Sequence, residues 1–419
     1  MSDSPDSPPD DTSMRALLGQ TDYVRFWLSR WLAVLGVQIQ SVALGWHIYD
    51  IARQTMDVPR SAFMVSLIGL VSFIPVLLLA LPAGETADRY NRRRILLACY
   101  GGEIFVAALL TALALMNLAS IPMLLLSAGM FGAARAYFAP ASSALGPMLV
   151  PRALLPRAIA WNSLAWQSAS IAGPALGGFL VAISPGLSYG VALALYLAAA
   201  VSVALIRGNA QPEVQPGSRW ALMKEGLSYV WTNKIVFGAI SLDLAAVILA
   251  GATAMLPVYA RDVLHVGPEG FGFLRAASAV GATAMALWLA SFPVTRKAGL
   301  IMFVSVAIFC IGTVVFGLST LLWVSVVALA VAGAADMISV YVRQTLIQLV
   351  TPDNMRGRVA TVSYLFIGAS NELGEFRGGL VARFLGPIIA VAGGGAAALV
   401  VTGLWAKLFP DLRKADRLA

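Results

Sequence analysis

Apolar runs of twenty or more residues, broken by Pro, Gly and clusters of charge, set the pattern of this chain. They fall near 24–49, 62–83, 94–117, 121–149, 156–183, 187–206, 235–263, 269–292, 299–318, 321–348, 357–384 and 387–409. A helix of about 20 residues crosses the hydrocarbon core of a bilayer, so each run is long enough to span. None shows the ten-residue alternation of an outer-membrane barrel strand. The pattern therefore predicts an all-α polytopic membrane protein with twelve spans. Residues 1–14, MSDSPDSPPDDTSM, are acidic and rich in Pro and Ser, the reverse of a basic leader. They predict a disordered tail over 1–21 and a first span that is retained. The longest polar interruption, 207–234, joins a six-span unit at 22–206 to another at 235–410, and 411–419 reads as a second tail. Within the joint, Trp220, Met223, Leu227, Val230 and Trp231 share one helical face while Lys224, Glu225 and Lys234 supply polar positions. That predicts a short helix, either lying on the membrane surface or packed on protein as a linker.

Composition agrees with the pattern. Hydrophobic residues are 59% of the 419 and charged residues 12%, which leaves no soluble domain of ordinary make-up. Of the 29 Lys and Arg, 20 fall on the side of the termini, 4 in the opposite loops (Arg53, Arg60, Arg261, Arg383) and 5 within spans (Arg30, Arg135, Arg275, Arg343, Arg377). The positive-inside rule then places both termini on the cytoplasmic side of the membrane. The net charge of +8 reads as topology rather than as a nucleic-acid surface. Cys99 and Cys310 lie in spans and act as small apolar side chains. His47 and His265 sit near opposite span ends, so no converging nucleophile, base or ligand set points to an enzyme, a metal or a cofactor.

Internal repetition is visible. A constant shift of 201 residues aligns GAAR (132–135) with GAAD (333–336), Pro151 with Pro352, Arg157 with Arg358 and Leu164 with Leu365. The same shift pairs Gly173, Gly177 and Gly178 with Gly374, Gly378 and Gly379. Spans four and five thus mirror spans ten and eleven, as in transporters built from repeats.

Two short stretches carry further information. GETADRYNRRR (84–94) gathers charge between spans two and three, with Gly84, Asp88, Arg89, Arg92 and Arg93 in a fixed spacing. SIAGPALGGFL (170–180) sets Gly173, Pro174, Gly177 and Gly178 on span five, a smooth face that admits a close helix and a proline that bends its own. Together with the 6+6 repeat, and with TLIQLVTPDNMRGRV (345–359), they resemble the major facilitator superfamily and its bacterial branch of siderophore and drug exporters. The resemblance implies twelve helices in two pseudo-symmetric bundles, alternating access and export. It also implies that Asp88 latches the cytoplasmic side against the start of span eleven near Arg356 and Arg358. A helix-dipole contact of ~0.3–2 kcal/mol is weak enough to reverse. The basic residues would hold the loop at the anionic leaflet.

Ionisable groups inside the spans cost ~2.5–3.5 kcal/mol or more, so each asks for a partner, a cavity or a proton. Arg135 and Asp336 are related by the repeat and lie at similar depth, about 22 Å from the far ends of their spans at 1.5 Å per residue. The resemblance puts both on the central cavity, facing from opposite halves, with Asp243 nearer the cytoplasm. Asp336 or Asp243 is expected to carry a proton, with Arg135 tuning it or holding an anionic part of the cargo. Glu103, Glu372 and Glu375 are further candidates, as packing contacts or as proton sites. Glu372 and Glu375 share a helix face, whereas Arg377 is expected to reach the outer headgroups. Arg30 and His47 on span one could contact cargo. The expected function is proton-coupled export of a small organic molecule by a monomer set among membrane lipids. A lysophospholipid flippase or an uptake symporter of the same fold is the rival reading.

Overall fold

In the computed structural model, residues 14–208 and 219–416 are described, and they form helices with no strand among them. The first half runs α1 (Met14–Gly19), α2 (Thr21–Thr55), α3 (Val58–Arg89), α4 (Arg92–Leu115), α5 (Ile121–Leu145), α6 (Leu155–Ile183) and α7 (Pro185–Ala204). The linker helix α8 (Arg219–Thr232) follows. The second half runs α9 (Lys234–Ala250), α10 (Leu256–Val258), α11 (Gly267–Ser291), α12 (Ala298–Leu318), α13 (Leu322–Val350), α14 (Asp353–Leu385), α15 (Gly394–Leu408) and α16 (Pro410–Arg413). Among the described residues, eleven segments are long and apolar enough to cross a membrane, one fewer than the pattern predicts. The remaining long helix is α14, whose 33 residues include Glu372, Glu375, Arg377 and Arg383, and these make it too polar to meet the same measure.

Sharp reversals need local caps. Asp57 accepts a hydrogen bond from the Arg60 amide at 2.9 Å and Pro59 opens α3, so only two residues separate α2 from α3. Ser184 does the same for Leu187 at 3.0 Å before Pro185, turning α6 into α7 within one residue. Successive spans therefore alternate direction, and both ends of the chain, the 84–94 loop and α8 share one face, the terminal face.

Parts of both predicted tails, among the described residues, are ordered. Residues 1–13 lie outside the described residues, but 14–19 are helical and bury Leu17. At the other end α16 buries Leu412, the Gly299 amide donates to the Ala415 carbonyl at 2.9 Å, and the Lys297 amide to Asp416 Oδ1 at 3.0 Å. The predicted span 235–263 is also not one helix. It stops at Gly251, turns through 253–255 and resumes as α10 and a wide turn over 259–263. The break lies where α14 crosses: a methyl group on Gly374 would sit 2.7 Å from the Val247 carbonyl oxygen. On α8, Met223, Tyr229 and Val230 pack with Val359 and Val362 of α14, whereas Leu227 and Trp231 are exposed. The linker helix is thus packed on protein along one edge of the face predicted for it.

The repeat has a physical counterpart in glycine contacts. A methyl on Gly132 of α5 would strike the Ser72 carbonyl of α3, and one on Gly333 of α13 would strike the Ser278 carbonyl of α11. These positions are 201 residues apart and make the same backbone-on-backbone contact in their own halves. Replacing Gly132 or Gly333 by Leu should cost about 1–3 kcal/mol of overpacking. Gly403→Ala, where nothing lies within 4 Å, should leave thermal melting in detergent unchanged or raise it.

Candidate functional site

The charged loop at the terminal face works partly as helix capping. Arg92 donates to the Ala144 carbonyl at 3.1 Å, at the end of α5, and to Ala87 at 3.3 Å. Arg93 donates to the Val203 carbonyl at 3.2 Å and to the Ala204 carbonyl, both at the end of α7. Guanidinium groups are favoured there because the last carbonyls of a helix are unpaired and carry its negative pole. These two arginines tie three helix ends of the first half together. Gly84 is buried, Asp88 half-buried in the last turn of α3, and Arg89 exposed. Arg358, expected beside Asp88, pairs with Glu225 on α8, and Arg356 donates to the Gln348 carbonyl at 3.0 Å.

On α6 the glycine motif serves two neighbours. Gly173 and Gly177 face α2, where added methyls would meet Gln38 and, at 3.0–3.3 Å, Val42 and Ile39. Gly178 faces α11 of the other half, where its methyl would lie 2.7 Å from the Pro268 carbonyl and 2.9 Å from Gly272 Cα. The Pro174 carbonyl completes the same contact, 2.7 Å from a methyl on Gly272. The equivalent position on α14, Gly379, presses on Ser66 of α3. Each half thus lays one glycine-faced helix on a helix of the other.

Beyond these contacts, at the far face, the halves are clasped by charge. Asp50 accepts from Arg261 at 2.5 Å, and Asp262 accepts from Arg53 at 3.2 Å and from the Tyr49 hydroxyl at 2.5 Å. Behind the clasp an apolar plug joins Val42, Ile48 and Tyr49 to Met255, Leu256 and Phe271. The conformation is one shut at the far face.

Two groups of buried charge lie within the spans. In the second half, Asp243 of α9 is ion-paired with Arg343 of α13, and Asp336 lies in the field of both. Between the halves, Glu372 and Glu375 of α14 meet Gly69 of α3, where an added methyl would lie 2.6 Å and 3.3 Å from their Oε2 atoms. Arg275 of α11 is within electrostatic reach of both carboxylates and donates to Ser41 of α2 at 2.8 Å. Arg135 of α5 acts on Glu372 and on the fully buried Glu103 of α4, and lies 5.7 Å from the Phe131 ring centre. Arg135 and Asp336, which the repeat places at one depth, thus belong to different groups. Arg377 turns inwards to the start of α15, with Nη2 3.5 Å from the Ala390 carbonyl, rather than towards headgroups. His47 Nδ1 lies 3.3 Å from the Tyr189 hydroxyl inside the first half.

Towards the terminal face, a cavity of about 400 Å³ opens between α2, α5 and α6, with Arg30, Asn162 and Trp166 among its walls. The sequence pattern does not single out Arg275, Arg343 or the far-face clasp. An arginine inside a span is as costly as a carboxylate and equally in need of a partner, which is the signal that points to the first two. The clasp residues read as ordinary loop charges until the halves dock.

A 6+6 helical bundle with a charge network at its midplane and a clasp at one face is a membrane transporter of the major facilitator superfamily. The chain matches the model of the transmembrane secretion effector family over residues 12–419 and belongs to that family. It is 26% identical over 394 residues to the enterobactin exporter of Shigella dysenteriae serotype 1, covering 92% of this chain and 91% of that one. Against the enterobactin exporter of Escherichia fergusonii the identity is 26% over 395 residues, with 93% and 92% covered. In fold it is similar to the POT family transporter PepTSo, at a TM-score of 0.73, 12% identity and coverage of 93% and 98%. A bacterial homologue of the iron transporter ferroportin in the inward-facing state gives 0.70, 15%, 94% and 98%.

The clasp pairs are half-exposed, so each contributes about 0–1 kcal/mol and the set can be opened by a modest load. Asp262→Ala removes the acceptor of two of its three contacts. Spin labels at positions 56 and 269 should then report a broader and longer distance distribution across the far face, and Asp262→Glu should restore part of the short component.

Proposed function

We propose that this transporter is a secondary active exporter of the bacterial cytoplasmic membrane, with both termini in the cytoplasm, that moves a small organic molecule outwards against inward proton flow. The observation that carries the reading is the carboxylate pair Glu372 and Glu375, held between the two halves within reach of Arg275 and Arg135. A charged group inside one half keeps its partners when the halves rock, as Asp243 does with Arg343. A group between the halves loses or gains partners with each swing, so its proton occupancy and the conformation are linked. In the conformation shut at the far face the pair exchanges protons with the terminal side. When the clasp of Asp50, Arg53, Arg261 and Asp262 opens, the pair meets the other side.

Asp88 is the catch for the opposite swing, closing the terminal face when the far face parts. Asp336 and Asp243 form a second titratable group, whose pairing with Arg343 suits a structural role in the second half. The identity to enterobactin exporters supports export and a cargo of siderophore or amphipathic drug-like type.

Proteoliposomes with an imposed pH gradient test this. Flux should follow the gradient in the native chain, lose its response in Glu372→Gln with Glu375→Gln, and keep it in Asp336→Asn and Asp243→Asn. Gradient dependence that survives in the double glutamine variant and vanishes in Asp336→Asn would return the proton to the aspartates. Flux indifferent to the gradient in the native chain would remove antiport, and lysolipid movement between leaflets without flux of soluble cargo would favour a flippase.

A further inference from the structure

The cavity between α2, α5 and α6 has a definite chemistry. Among the residues lining its 400 Å³, Arg30 is the charged one, Ser142, Asn162, Ser163 and Gln167 supply hydroxyl and amide groups, and Trp166 presents an indole that is 45% exposed. Ser142 Oγ and Asn162 Oδ1 are buried without a hydrogen-bond partner in the protein. A guanidinium on a cavity wall matches a planar anion such as a carboxylate or sulfonate, which it can grip with two parallel bonds. The indole favours a flat aromatic surface.

The wall is also rigid. Trp27 and Trp31 stack with centroids 6.5 Å apart, and Trp161 of α6 meets Trp27 edge-on at 5.4 Å. Their indole N–H groups are already committed, from Trp27 to the Trp161 carbonyl at 2.9 Å and from Trp31 to Ser168 Oγ at 3.0 Å. The turn of α2 that carries Arg30 is thereby fixed against α6. At the rim, the Thr283 hydroxyl of α11, which donates to the Ala279 carbonyl of its own helix at 2.8 Å, shares its proton with Gln167 Oε1 at 3.2 Å, a bond between the two halves. An occupant that engages Gln167 competes with that bond, so filling the cavity acts on the contact that moves in transport.

We propose that this cavity is the cargo site and that it selects a small organic anion carrying a flat aromatic group, with Arg30 as the determinant of charge. The inference rests on the exporter reading above and gives it a substrate class.

Two probes of one shape and opposite charge, 2-naphthoate and 2-naphthylmethylammonium, test it by direct binding to the full chain in nanodiscs. The naphthoate should bind at least about tenfold tighter, as expected for a charge-assisted pair. Arg30→Gln should erase the preference and Arg30→Lys should keep most of it, while Trp166→Leu weakens both probes alike. Equal or better binding of the cation by the native chain, or a naphthoate affinity unchanged in Arg30→Gln, would overturn the assignment. Failure of both probes to bind would overturn it as well. Gradient-driven flux of a cationic dye, measured on the same preparation, separates the two readings: if it persists while the anion is refused, the exporter stands and this cargo class falls.

Discussion

Where α6 lies on α11 and α14 lies on α3, the two halves of this protein meet backbone to backbone, and that contact governs what the rest can do. In a bilayer, lipid tails are as apolar as leucine, so helices gain little from hiding apolar side chains on one another. They associate through close packing, and Gly178, Gly272 and Gly379 remove the side chains that would hold these helices apart. Such an interface has few interlocking knobs to disengage. At the far side it is continued by the apolar plug around Phe271.

Charge is added to this packing at the far face, where the clasp is half-exposed and each of its pairs is individually weak. The carboxylates of α14 sit a few turns deeper, beside Gly69 of the opposite half, where the absence of a side chain on α3 is what leaves room for them. Glycine therefore serves twice on this interface, once to let helices touch and once to admit carboxylates between them. Arg92 and Arg93, by contrast, hold helix ends together within the first half.

Much of this architecture is legible in the sequence because a bilayer imposes length and polarity on each span. The 201-residue shift identifies Gly132 with Gly333, and their contacts on Ser72 and Ser278 are the same contact made twice. The shift gives depth but not direction around the helix, so Arg135 and Asp336, placed by it at one depth, can join different groups. Pairings between halves, such as Asp50 with Arg261, join residues 211 apart and depend on how the bundles dock, which no local pattern encodes. The break at Gly251 lies where α14 crosses and just before Pro257, which opens the resumed segment, and of these two features the sequence displays the proline alone.

The central claim is that the halves rock about the glycine contacts and that the far face must part for transport. Cysteines in place of Asp50 and Arg261, joined by a short bifunctional thiol reagent, test this directly, because native Cys99 and Cys310 are buried. Flux in proteoliposomes should stop when the bridge is closed and return when a reductant opens it. Flux that continues at the unbridged rate with the bridge intact would contradict the account.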